Sequence, residues 1–230
     1  MQTTSSTCSE KEQPFTFCLD TTAYPPQRSL GKRLFDVVFS LSVIIGLSPL
    51  FLVICLLIKT TSKGPIFFQH TRIKRSGKPF RCYKFRTMYR NSDLLLQNLL
   101  KKSPSLQAEW KTFFKLKEDP RITPFGKFLR KTSLDELPQF FNVLKGDLSV
   151  VGPRPVLQKE VIEYYRDKAS KILSVKPGIT GLWQVSGRNN LSMEDRVKLE
   201  ESYIDKQSFW LDLLLIVKTI PAMIFSKGAY

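Results

Sequence analysis

The segment Ser133-Leu134-Asp135-Glu136-Leu137-Pro138 sets two carboxylates side by side, with Lys127, Arg130 and Lys131 just before them. One reading is structural. Ser133 with Glu136 three residues later is a capping box, and acidic residues favour the first turn of a helix. The other reading is chemical and uses the same geometry. A carboxylate at a helix N-terminus beside arginines stays ionised and close to any phosphate held there. An aspartate can attack phosphorus as a nucleophile and form an acyl-phosphate. A neighbouring glutamate can hold Mg²⁺, which takes carboxylate and phosphate oxygens together and improves a diphosphate leaving group. Cations that could stabilise a transferring phosphoryl group stand at Lys84, Arg86, Arg130 and Arg154. Pro153 and Pro155 flank Arg154 and restrict the backbone that aims it. Any single one of these arginines also reads as an ordinary solvated charge.

The elements that must position these residues are legible in outline. Ser133–Leu144 has the pattern of a short amphipathic helix. Ile66–Met88 reads as a β-hairpin around the turn-like Arg75-Ser76-Gly77-Lys78. On its second arm Phe80, Cys82 and Phe85 alternate with Arg81, Lys84 and Arg86. Asp93–Leu116 is helical in pattern, interrupted near Ser103-Pro104, and its leucines and aromatics suit core packing slightly better than a membrane surface. Gly146–Pro155 and Pro177–Asn190 read as Gly/Pro-punctuated loops, and Val156–Lys171 as a helix. Met193–Lys206 reads as a helix with Ser192 as its N-cap. Ser208–Phe225 is strongly apolar but interrupted by Asp212, Lys218 and Pro221, which fits an interfacial helix better than a span.

Charge and hydropathy add a membrane. Lys and Arg number 36 against 20 Asp and Glu, a formal charge of +16 over 230 residues, which calls for an anionic partner. The only histidine is His70 and Cys8, Cys18, Cys55 and Cys82 are scattered, so a Cys/His zinc site is not expected; Cys55 and Cys82 read as reduced structural thiols. Residues 1–30, rich in Ser, Thr, Gln and Pro, read as a flexible tail without the pattern of a signal peptide. From Leu34 to Ile58 the chain is apolar with Asp36 as its only charge, longer than the roughly 20 residues a bilayer core requires. Ser48-Pro49 breaks it near the middle, where proline removes a backbone donor. Both flanks are basic: Arg28, Lys32 and Arg33 precede the run, and Lys59 to Arg90 holds ten Lys/Arg and no Asp or Glu. Basic flanks stay on the cytoplasmic side. A helix that bends at Ser48-Pro49 and returns satisfies both; a straight span strands one of them outside.

Several stretches together resemble a known family, the bacterial sugar transferases, that is the monotopic polyprenyl-phosphate phosphoglycosyltransferases. They are KRLFDVVFS, the Ser48-Pro49 break, FFQHTRI, YKFRTM, DPRIT, LRKTSLDELPQFFNVLKGDLSVVGPRP and KPGITGLWQVSGR, in family order from about Lys32 onward. LQAEWKTFFKLKEDPRIT, KPGITGLWQVSGRNN and the terminal GAY are most similar to the undecaprenyl-phosphate galactose phosphotransferase branch. The resemblance implies a re-entrant helix-break-helix. It implies Asp135 as nucleophile and Glu136 as Mg²⁺ ligand in a two-step transfer from a UDP-sugar, through a phosphosugar-aspartate, to a polyprenyl phosphate. It implies Lys84, Arg130 and Arg154 as phosphate and substrate contacts, with Gln184 and Arg188 in the nucleotide-sugar site. Two departures stand out. Lys74 occupies a position two residues after the hairpin arginine where the family often has glycine, and larger members carry transmembrane helices where residues 1–30 stand here.

The expected fold is therefore α+β, mostly helical with a small β-hairpin. A tail (1–30) and a re-entrant membrane helix (31–59) would precede a catalytic domain (60–230) on the cytoplasmic face of a bacterial inner membrane. The expected activity is transfer of hexose-1-phosphate, galactose or glucose favoured, from a UDP-sugar to undecaprenyl phosphate with Mg²⁺ as cofactor, beginning a capsule, O-antigen or exopolysaccharide repeat. A UDP-N-acetyl amino sugar donor is the near alternative, and a homodimer is open. A non-catalytic basic protein gripping nucleic acid or acidic lipid is the distant alternative: the cations and aromatics of Phe80–Tyr89 would serve it. That class has no use for the Asp135-Glu136 pair or the GPRP loop, so nucleic acid is not expected as a partner.

Overall fold

The computed structural model describes Tyr24 and residues 29–113, 116, 118–187 and 191–224. Most of the expected tail, and Arg188, lie outside these residues.

The apolar run forms two helices, α1 (Leu30–Gly46) and α2 (Ser48–Thr61), bent by 62°. Ser29 caps the first, its Oγ accepting from Lys32 N. At the bend Pro49 has no N–H to offer the carbonyl of Ile45 four residues back. The Ser48 hydroxyl donates to that carbonyl instead, at 2.8 Å. The Ser48-Pro49 pair thus breaks the helix and satisfies the group that the break leaves over. No single helix among the described residues is long and apolar enough to cross a membrane; this bent pair meets that length and composition only as a unit.

The hairpin is present as β1 (Phe67–Ile73) and β2 (Pro79–Phe85), antiparallel, with His70 opposite Cys82. Lys74 does not disturb it. Its backbone is extended, its N–H donates to Lys78 O, and Ser76 and Gly77 take the positive φ angles that the turn requires. Phe80 and Cys82 are buried in one core, and Phe85, on the opposite face of the strand, is buried in another; burial pushes the Cys82 thiol up to about 11, which leaves it inert. Arg86, which the pattern set with Arg81 and Lys84, is buried.

Helices α3 (Ser92–Lys102) and α4 (Pro104–Phe113) divide at Ser103 as expected. Core packing was the expectation for this segment, yet no residue of α3 is buried, and Leu94 and Leu95 face outward. Next come α5 (Pro124–Lys131), a 3₁₀ turn at Leu134–Glu136, and α6 (Gln139–Lys145). The capping box does not form. Ser133 is left-handed (φ 56°) and its side chain makes no cap hydrogen bond. Pro138 cannot donate, so regular helix begins only at Gln139.

The two Gly/Pro stretches read as loops each hold a buried strand, β3 (Ser149–Val151) and β4 (Gly178–Thr180), paired in parallel. Three buried residues show no alternation, which hid them. The glycines allow backbone contact here: a Cβ on Gly178 would lie 2.1 Å from Gly152 N. Between the strands, the helix expected over Val156–Lys171 is broken into a short α7 (Gln158–Glu160), a π turn (Val161–Tyr165), a 3₁₀ turn (Arg166–Lys168) and α8 (Ala169–Ile172). Re-phasing the chain turns Val161, Tyr165, Ala169 and Ile172 all to the core. After β4 come α9 (Leu182–Val185), α10 (Met193–Asp205), capped by Ser192 as expected, and α11 (Phe209–Ile224), which runs unbroken through Pro221. Trp210, Val217 and Ile220 of α11 are exposed.

One core gathers around β3, α8 and α10; a second joins Phe51, Ile54 and Ile58 of α2 to Phe85, Leu129 and Leu137. Helix α2 is thus half membrane-like surface and half domain core. Helix α1 is held by three polar residues of its first turns. Lys32 Nζ meets Asp212 Oδ2 at 2.5 Å and Val151 O at 3.1 Å. Arg33 donates to the carbonyls of Val143 and Leu144 at the C-terminus of α6. Asp36, fully buried, accepts from Ser149 Oγ and Val150 N at 2.9 Å each. The basic residues read as topology signals are therefore also docking groups.

Candidate active site

Asp135 and Glu136 sit in the 3₁₀ turn between α5 and α6, so each neighbouring element delivers a cation to them. Lys84 reaches over from β2, its Nζ 2.6 Å from Glu136 Oε1 and 3.6 Å from Asp135 Oδ2. Arg130, in the last turn of α5, is fixed by a 2.9 Å bond from Nε to Thr87 Oγ1. Burial, reinforced by the adjacent Glu136 charge, raises the Asp135 carboxyl above the usual carboxylate range against the opposing pull of Lys84 and Arg130. The cations that were expected to keep this carboxylate ionised do pull its pKa down, but burial works against them and is the larger effect. Burial also works against the Lys84 ammonium, but the charges of Glu136 and Asp135 prevail and hold its pKa above the ordinary lysine value.

The register of this constellation is set by a residue the sequence did not single out. Asn142, completely buried on α6, accepts from Tyr83 N at 2.9 Å and donates to Arg81 O at 2.8 Å. It clamps α6 to β2 beside Lys84, as a two-ended amide can when it enters a strand edge.

Arg154 stands opposite. Its guanidinium lies 5.0 Å from the centre of the Trp183 ring, and that of Arg196 lies 5.1 Å from the same ring. Such cation–π contacts need few other partners. The backbone N–H of Arg154 donates to Glu200 Oε1 at 3.3 Å. Glu200, buried in α10, also accepts from the Tyr165 hydroxyl and, at 3.1 Å, from Arg196 Nε. Glu160 joins Arg196 to Arg72 of β1. The flanking prolines restrict Arg154, but this carboxylate network fixes it. Its one signal in the sequence was the i,i+4 spacing of Arg196 and Glu200, which every exposed helical ion pair shares.

Lys84, Arg86, Arg130, Asp135, Glu136, Arg154 and Gln184 all line one cavity of about 1030 Å³. The sequence named all seven, and they are drawn from β2 and the residue after it, α5, the 3₁₀ turn, the Gly/Pro loop and α9. Arg86 plays a different part from the one expected. Its Nη2 donates to Ser62 O and Ser62 Oγ at 2.8 Å and to Ile58 O at 3.4 Å, capping the C-terminus of α2. His70 and Arg72 also border the cavity.

Among the described residues, no group of three or more His, Cys, Asp or Glu side chains is arranged to hold a metal. The donor set on offer is the Asp135-Glu136 pair. Mg²⁺ commonly uses one or two carboxylates and completes its shell with water and substrate phosphate, so the pair is compatible with it.

A buried aspartate with a partly exposed glutamate beside it, both facing Lys84, is an arrangement that can carry phosphoryl transfer. The family profile described as bacterial sugar transferase matches residues 27–226. An exopolysaccharide production protein, ExoY, of Sinorhizobium fredii is 46% identical over 92% of this chain and 93% of its own. An undecaprenyl-phosphate galactose phosphotransferase of Salmonella typhimurium is 48% identical over 86% of this chain. A UDP-glucose:undecaprenyl-phosphate glucose-1-phosphate transferase of Klebsiella pneumoniae is 42% identical over 86% of this chain. The chain spans only 41% of the length of each of the latter two. The protein belongs to the bacterial sugar transferase family and is a transferase enzyme.

Proposed function

We propose that this enzyme transfers a sugar-1-phosphate from a UDP-sugar to undecaprenyl phosphate, releasing UMP, as the first membrane step in building a polysaccharide repeat. The observation that carries the reading is the convergence of Asp135 and Glu136 with Lys84 and Arg130 in one cavity. The names of the Salmonella and Klebsiella relatives support undecaprenyl phosphate as acceptor and galactose or glucose as the sugar.

The chemistry follows from the residues. An Asp135 carboxylate oxygen attacks the phosphorus that bears the sugar; the P–O bond to the UMP phosphate breaks and UMP leaves with the electron pair. An oxygen of the lipid phosphate then attacks the same phosphorus and restores the Asp135 carboxylate. Lys84, Arg130 and Arg154 offset charge on the phosphoryl oxygens. Glu136, with substrate phosphates, would hold Mg²⁺, which when bound draws charge off the donor's diphosphate and makes UMP a better leaving group.

The bent helix pair supports a re-entrant, monotopic placement. Lys32, Arg33 and Asp36 tie the start of α1 to the domain, and Arg86 ties the end of α2 to it. This fastening supports both ends lying on one side, and the basic flanks favour the cytoplasmic one. The outward faces of α1, α2 and α11 (Leu34, Ile45, Leu52, Leu56 and Trp210 among them) are the surface a bilayer would cover.

The test is UMP release by detergent-solubilised protein given undecaprenyl phosphate, Mg²⁺ and each of a panel of UDP-sugars. UDP-galactose or UDP-glucose should be preferred. Preference for a UDP-N-acetyl amino sugar would move the assignment to that donor, and no release with any of them would overturn it. EDTA should abolish release and added Mg²⁺ should restore it; full activity in EDTA would remove the metal from the mechanism.

A further inference from the structure

Helices α1 and α11 meet at their N-terminal ends and part further along. At the closed end Lys32 pairs with Asp212, and the Phe35 ring packs edge-on against Phe209 with centroids 5.5 Å apart. Two and three turns on, Phe39, Val43 and Leu47 of α1 face the same cavity as Ile216, Thr219 and Ile220 of α11. Among the described residues Phe140, packed on Phe39, also borders this part of the cavity. Its floor is Val150 and Ile179, which belong to β3 and β4. The Thr219 hydroxyl is engaged with Leu215 O and Thr180 Oγ1, so it presents little polarity to the cleft.

This apolar cleft is not a separate pocket. It belongs to the same cavity that Asp135, Lys84 and Arg130 line. A ligand that fits the whole must be apolar along its length and anionic at its tip. Neither end of a nucleotide sugar is apolar, so the donor accounts only for the polar end.

We propose that the α1–α11 cleft is the binding groove for the first isoprene units of the polyprenyl phosphate acceptor, which enters from the membrane side and brings its phosphate to Asp135. This rests on the transfer reading above and adds the location of the lipid. The charge arrangement orients it: the cavity's cations lie with the carboxylates, and the two helices that border it carry exposed apolar residues such as Ile45 and Ile220. An isoprenoid lying anywhere on the outer bilayer-facing surface would have no such path to the carboxylate.

The test combines crosslinking with kinetics. Undecaprenyl phosphate carrying a diazirine within its first isoprene units is photolysed with the full-length protein in detergent or nanodiscs. Adducts should map to α1 around Val43–Leu47 and to α11 around Ile216–Ile220. Adducts confined to Leu52 and Leu56 of α2 would overturn the proposal. In parallel, Val43→Trp and Ile220→Trp should fill the cleft. Excluding two methylene equivalents from apolar contact corresponds to roughly a tenfold weaker hold, so KM for undecaprenyl phosphate should rise about tenfold or more while KM for the UDP-sugar stays within about twofold. Val217→Trp, on the exposed face of α11 and outside the cavity, is the control and should leave both constants unchanged. An unchanged lipid KM in both cleft variants would also overturn the groove. Failure of the transfer reading would show as no UMP release from the parent protein; the crosslinking positions would still decide the cleft.

Discussion

At the scale of single residues, Asp135 carries the sharpest expectation, because its environment trades stability for reactivity. Burial raises its pKa. A group whose folded pKa lies above its unfolded value makes folding less favourable as pH rises through that interval, since the folded state gives up its proton less readily. Near neutral pH the ionised Asp135 therefore costs stability. Asp135→Asn removes that cost and should leave Tm unchanged or higher, while UMP release falls by several orders of magnitude. A helix-capping carboxylate would behave in the opposite way, losing about 1 kcal/mol of stability and little turnover. Without lipid acceptor, the parent enzyme should release about one UMP per site and leave a phosphosugar on the peptide containing Asp135, read by mass spectrometry. A direct attack of the lipid phosphate on the donor would give neither the burst nor the adduct. The same raised pKa fixes the sign of a pH profile. The nucleophile is the ionised form, so the single-turnover rate should climb with pH along an acid limb lying above the usual aspartate range. A limb at the ordinary aspartate pKa would show that bound substrate and metal cancel the effect of burial.

At the scale of elements, the bent helix pair allows a test of what the proline does. With both ends fastened to one domain, cysteines introduced as Asp20→Cys and Arg90→Cys in a cysteine-free protein should both resist a membrane-impermeant reagent applied from outside. Pro49→Leu restores the missing N–H and favours a straight helix, which the Lys32, Arg33 and Asp36 contacts must then oppose. The position at 20 should become labelled in part of the population. Labelling at 20 in the parent would mean a true span. Elements of this kind were readable in the sequence because their signals are local: an apolar run with a proline in it, two aromatic-rich arms around a turn, an N-cap at Ser192. The paired strands β3 and β4 were not, because their identity lies in a contact between Gly152 and Gly178 across some 25 residues of chain, and three buried residues have no period to detect. The broken helix after Val156 failed for a related reason, since the turns that re-phase it answer to the core they face. Among site residues the division is similar. Asp135, Glu136, Lys84 and Arg154 announce themselves by charge in unusual company. Asn142, Glu200 and the capping role of Arg86 depend on partners that the fold alone supplies.

At the scale of the whole molecule, the candidate cavity, the bent helix pair and the docking residues form one continuous structure: α2 contributes to the same core as Phe85 and Leu137, which flank Lys84 and the carboxylate pair. The height of the site above the apolar face is therefore set by covalent and packed geometry. In the re-entrant reading nothing in this arrangement measures the distance to the far side of the bilayer. A transmembrane protein must tilt, stretch or thin its surroundings when lipid tails lengthen, at a cost of fractions of a kcal/mol per ångström. A wedge that enters and leaves through one leaflet has no opposite edge to match. Turnover in nanodiscs of short-, medium- and long-tailed lipids should accordingly be flat, with head-group charge a stronger influence than thickness. A sharp optimum in tail length would instead reveal an enzyme that feels both surfaces of its membrane.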